Sequence, residues 1–184
     1  MTEQPVLRTS RLVLRPFVLD DALAVRMLAG AREVADTTMH IPHPYPLGAA
    51  ELWIATHKES WEAGTGATYA LTGSTDTVMG AIALTIAPPH ARGEIGYWLG
   101  VPFWNRGYCT EAGVAMLDLG FGQLGLHRVQ ARHLTRNPAS GRVLQKLGMQ
   151  LEGVNRQWLR KHDRFEDVAM YAILANEWPS ARPT

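Results

Sequence analysis

The stretch that most constrains this chain runs over residues 93–115, GEIGYWLGVPFWNRGYCTEAGVA. It reads as a buried strand over 94–99, a turn opened by Gly100 and Pro102, and a helix starting near Gly107. A strand that passes through a glycine-bearing turn straight into a helix leaves backbone N–H groups unpaired, and the positive end of the helix dipole lies beside them. Together they attract an anion, so the turn is a phosphate seat. Arg106 adds a fixed positive charge, Gly107 lets the backbone approach closely, and Thr110 offers a hydroxyl in the first helical turn. The fold must build around this strand, turn and helix.

With 184 residues the chain fits one domain, with a core at about 8–176 and short flexible tails. Lys and Arg number 18 against 17 Asp and Glu, a formal charge of +1 that supplies no broad basic field for nucleic acid or an anionic membrane. One cysteine leaves no intrachain disulfide, and no long apolar run or leader pattern stands out, so the cytoplasm is the expected compartment. A homodimer is left open.

Along the chain, Arg11-Leu-Val-Leu-Arg15 alternates as a strand ending at Pro16. Asp20 and Asp21 open a helix whose apolar face is Leu19, Leu23, Val25, Met27 and Leu28, with Gly30 as its cap. Three prolines make 40–46 a shaped loop, and a helix follows over 49–61. Strands are expected over 67–72 and 78–86 as a hairpin, then over 92–101, before a helix over 110–121. Residues 126–132 read as a strand, 137–147 as a helix stopped by Gly148, and 151–160 with 165–174 as a hairpin; a frayed tail starts at Pro179. One mixed α/β domain accommodates this order.

The segment 104–109 resembles the cofactor-binding motif of the GNAT superfamily of acyl-CoA N-acyltransferases, Gln/Arg-x-x-Gly-x-Gly/Ala, with Trp104 and Cys109 departing from it. Gly96-Tyr97-Trp98 before it, Thr110-Glu111-Ala112 after it, Asn137-Pro138-Ala139-Ser140 and Lys146-Leu147-Gly148-Met149 make the chain similar to the RimJ/RimL-type branch. That resemblance implies a mostly antiparallel α/β sheet flanked by helices, with the central strand and the next one splayed to admit acetyl-CoA. It implies a cofactor seat at Asn105, Arg106, Gly107, Tyr108, Cys109 and Thr110, and an acceptor amine that includes ribosomal protein N-termini.

Forming an amide from a thioester requires a neutral amine, a polarised carbonyl and a proton for the departing thiolate. An α-amine titrates at roughly 7.7 to 8.0, so a carboxylate beside it helps at neutral pH. Glu94 is the candidate base, near where the family carries a catalytic Glu; its bland reading is a surface carboxylate paired with Arg92. Ser140 is the candidate acid, its bland reading a helix cap. The resemblance would place a Tyr at Leu144 and, in some of the branch, a Glu at Leu159, and both are absent. It makes Asn137 a contact to the pantetheine arm, against a turn residue.

A backbone N–H among Tyr97, Trp98 and Leu99 would polarise the carbonyl. The Tyr97 and Trp98 side chains line an acceptor slot or simply fill core, and Tyr108 divides the same way. Cys109 reads as a small residue against phosphate in preference to a nucleophile. The seven histidines show no metal-ligand spacing, so no metal is expected. An acetyl-CoA-dependent N-acetyltransferase is the leading reading, with a non-catalytic acyl-CoA sensor as its rival.

Overall fold

The computed structural model describes residues 3–181. Its strands are β1 (Leu7–Arg8), β2 (Val13–Arg15), β3 (Gly66–Thr72), β4 (Val78–Ala87), β5 (Arg92–Leu99), β6 (Arg128–Leu134), β7 (Gln150–Lys161) and β8 (Arg164–Leu174). The helices are α1 (Ala22–Ala29), α2 (Arg32–Thr37), α3 (Ala49–Glu62), α4 (Tyr108–Asp118), α5 (Pro138–Lys146) and α6 (Trp178–Ala181). The strands form one sheet in the order β1-β2-β3-β4-β5-β6-β8-β7. Every neighbouring pair is antiparallel except β5 and β6, which run parallel. This is the mixed, mostly antiparallel α/β architecture expected.

Both faces of the central strands are covered, which explains why β3 and β4 read as near-continuous apolar runs instead of alternating. On one face Phe17, Ala22, Val25, Ala29, Ile54 and Ala81 form a cluster from α1, α3 and the sheet. On the other, Leu84, Ile95, Met116, Leu117, Val129 and Leu147 join α4 and the end of α5 to the sheet. Buried among Phe17 and Trp53, the His57 imidazole is driven down to about 4 by desolvation and stays neutral.

Two expectations need correction, and the structure adds one strand. The segment before Arg11 carries β1, whose two residues are too few for periodicity to reveal, and Gln4 donates to the Thr68 carbonyl. Helix α1 buries Ala22, Val25 and Ala29, while Leu23 and Met27 face outward. Small side chains let α1 lie close on β4, and that close approach overrides the larger residues. The tail expected from Pro179 is helical through Ala181, and Trp178 is buried with its indole N–H on Asp118 Oδ1 at 2.9 Å. Residues 1–2 and 182–184, parts of the expected tails, lie outside the described residues.

The start of α1 is tied to the sheet by charge. Arg15 Nη1 and Nη2 donate to Asp21 Oδ2 and Oδ1 at 2.7 and 2.9 Å, and Val18 N–H reaches Oδ2 at 2.9 Å. Burial pushes the Asp21 carboxyl up, but the bonds from Arg15 and Val18 outweigh it and hold the group below its ordinary 3.8. A depressed carboxylate contributes stability above its unfolded value and loses it as pH falls through the folded one. Asp21→Asn should therefore cost about 1.5–3 kcal/mol at pH 7. In urea titrations across pH, the gap between the two proteins should narrow below 3.8. A gap that does not change with pH would assign the loss to packing.

Candidate functional site

Strands β5 and β6 pair only at Arg92–Arg128, Gly93–Val129 and Glu94–Gln130, and then separate. Gly100 N–H bonds the Met79 carbonyl at 2.9 Å, so the β5 backbone at even positions faces β4. Alternation turns the amides of Tyr97 and Leu99 toward the gap, where β6 no longer pairs with them. The Leu99 carbonyl is taken by Trp104 Nε1 at 2.8 Å. Through that bond Trp104, a departure from the family pattern, folds the turn back onto its strand. The gap opens into a cavity of about 720 Å³.

At one end of this cavity lies the expected anion seat. Gly107 takes φ 78° at the start of α4, a conformation that costs other residues strain, and Asn105 before it is also left-handed at φ 60°. The first helical bond runs from Glu111 N–H to the Gly107 carbonyl at 3.0 Å, so the amides of Tyr108, Cys109 and Thr110 precede the ladder. Asn105, Arg106, Gly107, Tyr108, Cys109 and Thr110 all line the cavity. Arg106, Arg142 and Lys146 are exposed along it, and among the described residues none of the three has an ion-pair partner.

The seat is braced from the other end of the chain. Arg11 Nη1 donates to the Arg106 carbonyl at 3.0 Å, its Nε reaches Glu111 Oε2 at 2.6 Å, and its guanidinium lies 4.9 Å above the Tyr108 ring. Thr9 and Ser10 hydroxyls also donate to Glu111 Oε1, at 2.6 and 3.0 Å. Burial pushes the Glu111 carboxyl up, but these bonds outweigh it and hold the group below its ordinary 4.5. A carboxylate in the first turn also complements the helix dipole. Sequence pattern could not reveal this brace, because its partners lie about a hundred positions apart.

Glu94 also lines the cavity, half-buried at the fork where β5 leaves β6. Its partner is Arg132, not the exposed Arg92: Arg132 Nε donates to Oε1 at 2.7 Å and Gln130 Nε2 to Oε2 at 3.0 Å. Register explains the difference, because Glu94 sits opposite Gln130 and Arg132 follows two residues on. Across the cavity, the cap of α5 is Asn137, whose Oδ1 accepts from Ser140 N–H at 3.3 Å while Nδ2 donates to the Thr37 carbonyl at 3.2 Å. Ser140 therefore does not cap. Its hydroxyl lies 2.9 Å from the Tyr97 hydroxyl, and both residues line the cavity.

Burial raises the Tyr97 phenol above its ordinary 10, and the Ser140 bond offsets part of that rise. Tyr97 thus stays protonated. Leu144 lines the cavity where a Tyr was absent, and Leu159, half-buried in β7, does not line it. Trp98 lies on the opposite face of β5 from Tyr97, packed on the cluster that holds Val25 and Ala81, and it lines the cavity as do Val34, Thr38, Met39 and Trp53. Of the proline-rich loop 40–46, His40 alone lines the cavity, beside Val34 and Thr37 of α2 and Thr38–Met39 after it. Among the described residues, no group of three or more His, Cys, Asp or Glu could hold a metal ion.

A forked strand pair with free helix-start amides at one end and a hydroxyl and a carboxylate along its walls offers the groups that acyl transfer from a phosphorylated carrier requires. A family profile, the acetyltransferase (GNAT) domain, matches residues 11–150. The chain is 31% identical over 172 residues to YoaA of Bacillus subtilis, an uncharacterized N-acetyltransferase, covering 92% of this chain and 97% of the relative. A GNAT-family acetyltransferase from Bacillus anthracis superposes with a TM-score of 0.84 at 24% identity, over 94% of this chain and 100% of that one. RimL, a ribosomal L7/L12 alpha-N-protein acetyltransferase solved with coenzyme A, superposes at 0.85 with 18% identity, over 92% and 98%. The chain belongs to the GNAT acetyltransferase family.

Cys109 sits at the seat, and burial pushes its thiol up to about 12. A thiolate at a helix N-terminus is ordinarily favoured, so here desolvation wins. Alkylation of Cys109 by iodoacetamide at pH 8 should be at least about a hundredfold slower in the folded protein than in urea. Equal rates would show an accessible, activated thiol.

Proposed function

We propose that acetyl-CoA occupies the cleft between β5 and β6 and that its acetyl group passes directly to a primary amine in the cytoplasm. The observation that carries this reading is that the anion seat, Glu94 and Ser140 all line one cavity. The pyrophosphate would rest on the amides of Tyr108, Cys109 and Thr110, with Arg106, Arg142 and Lys146 balancing the charge of the carrier's phosphates. The pantetheine arm would run beside Asn137 and complete the β5 edge. One of the free β5 amides, at Tyr97 or Leu99, would donate to the thioester oxygen, where a fixed dipole stabilises the developing oxyanion without reorganising.

Glu94 would take the proton from the attacking amine, directly or through water, as Ser140 gives its proton to the departing thiolate. The new N–C bond forms, the C–S bond breaks, and the net transfer is one proton from nitrogen to sulfur. A bare acyl-CoA sensor would need neither group in the cavity. The acceptor would enter past Trp98, Met39 and His40. RimL is described as acting on the α-amine of a ribosomal protein, and this chain would take a protein N-terminus or a small amine.

The test is release of free thiol from acetyl-CoA across a panel of N-terminal peptides and small amines, followed by pH profiles of the native protein and Glu94→Gln with the best acceptor. Gln keeps the size and accepts from Arg132 on its one oxygen, while its NH2 can donate to Gln130 once that amide is flipped, but it takes no proton. The plateau of kcat/KM should fall by about a hundredfold, the scale of general-base catalysis. Plateaus that coincide would remove Glu94 from the chemistry, and no release with any amine would remove transfer itself.

A further inference from the structure

The hydroxyl of Tyr97 stands 2.9 Å from Ser140 Oγ and 3.1 Å from the Ser140 carbonyl oxygen. It has one proton and two acceptors within reach, and the choice decides what the serine can do. If the phenol donates to the carbonyl, the serine hydroxyl donates back to the phenol and its proton points away from the cavity. If the phenol donates to Oγ, the serine proton is free to point at the thioester. Ser140 lies inside α5, and in a regular helix its carbonyl accepts from the N–H four residues on, so it does not depend on the phenol. The second arrangement leaves the carbonyl with that donor and frees the serine proton for a thioester bound in the cavity.

We propose that Tyr97 is a positioning residue for the transfer: its hydroxyl donates to Ser140 Oγ and thereby presents the serine proton to the departing sulfur. The inference rests on the acetyl-transfer reading given above. As the C–S bond breaks, the sulfur takes the Ser140 proton and negative charge builds on Oγ. The Tyr97 hydrogen bond stabilises that charge, and a proton from the amine, carried by Glu94 or water, restores the serine. Tyr97 keeps its own proton throughout, because burial already disfavours the phenolate. Its ring packs against the core cluster that holds Ile95 and Leu99 of β5, a fixed strand, so the donor needs no reordering when charge develops.

A purely structural bond would behave differently. Tyr97 joins β5 to α5 across the cleft, so a hydroxyl that merely held the walls would matter for cofactor binding and not for turnover. Tyr97→Phe keeps the ring and removes the hydroxyl. It should lower kcat by about tenfold while CoA affinity, measured by calorimetry, stays within about twofold. Ser140→Ala should lower kcat further, and the double variant should match Ser140→Ala within about twofold, since Tyr97 acts only through that oxygen. A second probe avoids any loss of fold: a fluorinated tyrosine at position 97, a stronger donor, should change kcat with serine at 140 and leave it unchanged with alanine there.

Losses that multiply in the double variant would overturn the proposal, as would a Tyr97→Phe protein with native kcat and weakened CoA binding. These outcomes are read only against a native protein that turns over. A native protein that releases no thiol fails the acetyl-transfer reading itself, and the inference with it.

Discussion

Everything at the site depends on two parallel strands that stop pairing. After Glu94–Gln130 the β5 edge turns backbone groups toward a gap, and amides left unpaired in a partly buried setting cost free energy unless something bonds them. A ligand with carbonyl and amide groups can complete the edge as a strand would. The fork is held open by packing on both faces, with α4 and α5 on one side and α1 to α3 on the other. The Glu94–Arg132 pair lies at its vertex, spanning the two strands at the point where their backbone bonds end.

The same fork separates two kinds of recognition. Toward α4 the cavity meets backbone amides and the exposed cations Arg106, Arg142 and Lys146, which suit an anionic carrier but say nothing about its acyl group. Toward α2 and α3 it meets Trp53, Trp98, Met39 and Val34, an apolar wall that suits an acceptor's body. Between them stand Tyr97, Ser140 and Glu94. On the proposed reading the chemistry sits where carrier and acceptor can both reach it, and the charge balance of the whole chain, near neutral, leaves its local fields to these few side chains.

Much of this was legible in the sequence because it was local. The turn into α4 is a run of consecutive residues, so Gly107 and the helix-start amides after it could be placed before any fold was known. The hairpins and α5 announced themselves by turn and stop residues: Asn137-Pro138 opens α5, and Gly148 follows its end. What failed was tertiary. The buried stripe of α1 is mostly small, so hydrophobicity found Val25 but also picked Leu23 and Met27, which face outward, and the six residues of α2 are too short for a period to show. Arg132 as partner of Glu94 needed the β5–β6 register, and the Arg11–Glu111 brace needed a contact across most of the chain. Ser140 was legible as a polar residue at a helix start, but its freedom from capping followed only from the observation that Asn137 fills that role.

The central claim is that one cleft seats the carrier's phosphates on α4 and delivers its sulfur to Ser140. A crystal structure of the protein with coenzyme A tests this most directly. Pyrophosphate oxygens should lie about 2.7–3.2 Å from amides among Tyr108, Cys109 and Thr110, with the sulfur on the Ser140 side of β5. A pyrophosphate bound away from those amides, or a sulfur directed to the Trp98 face, would contradict that claim.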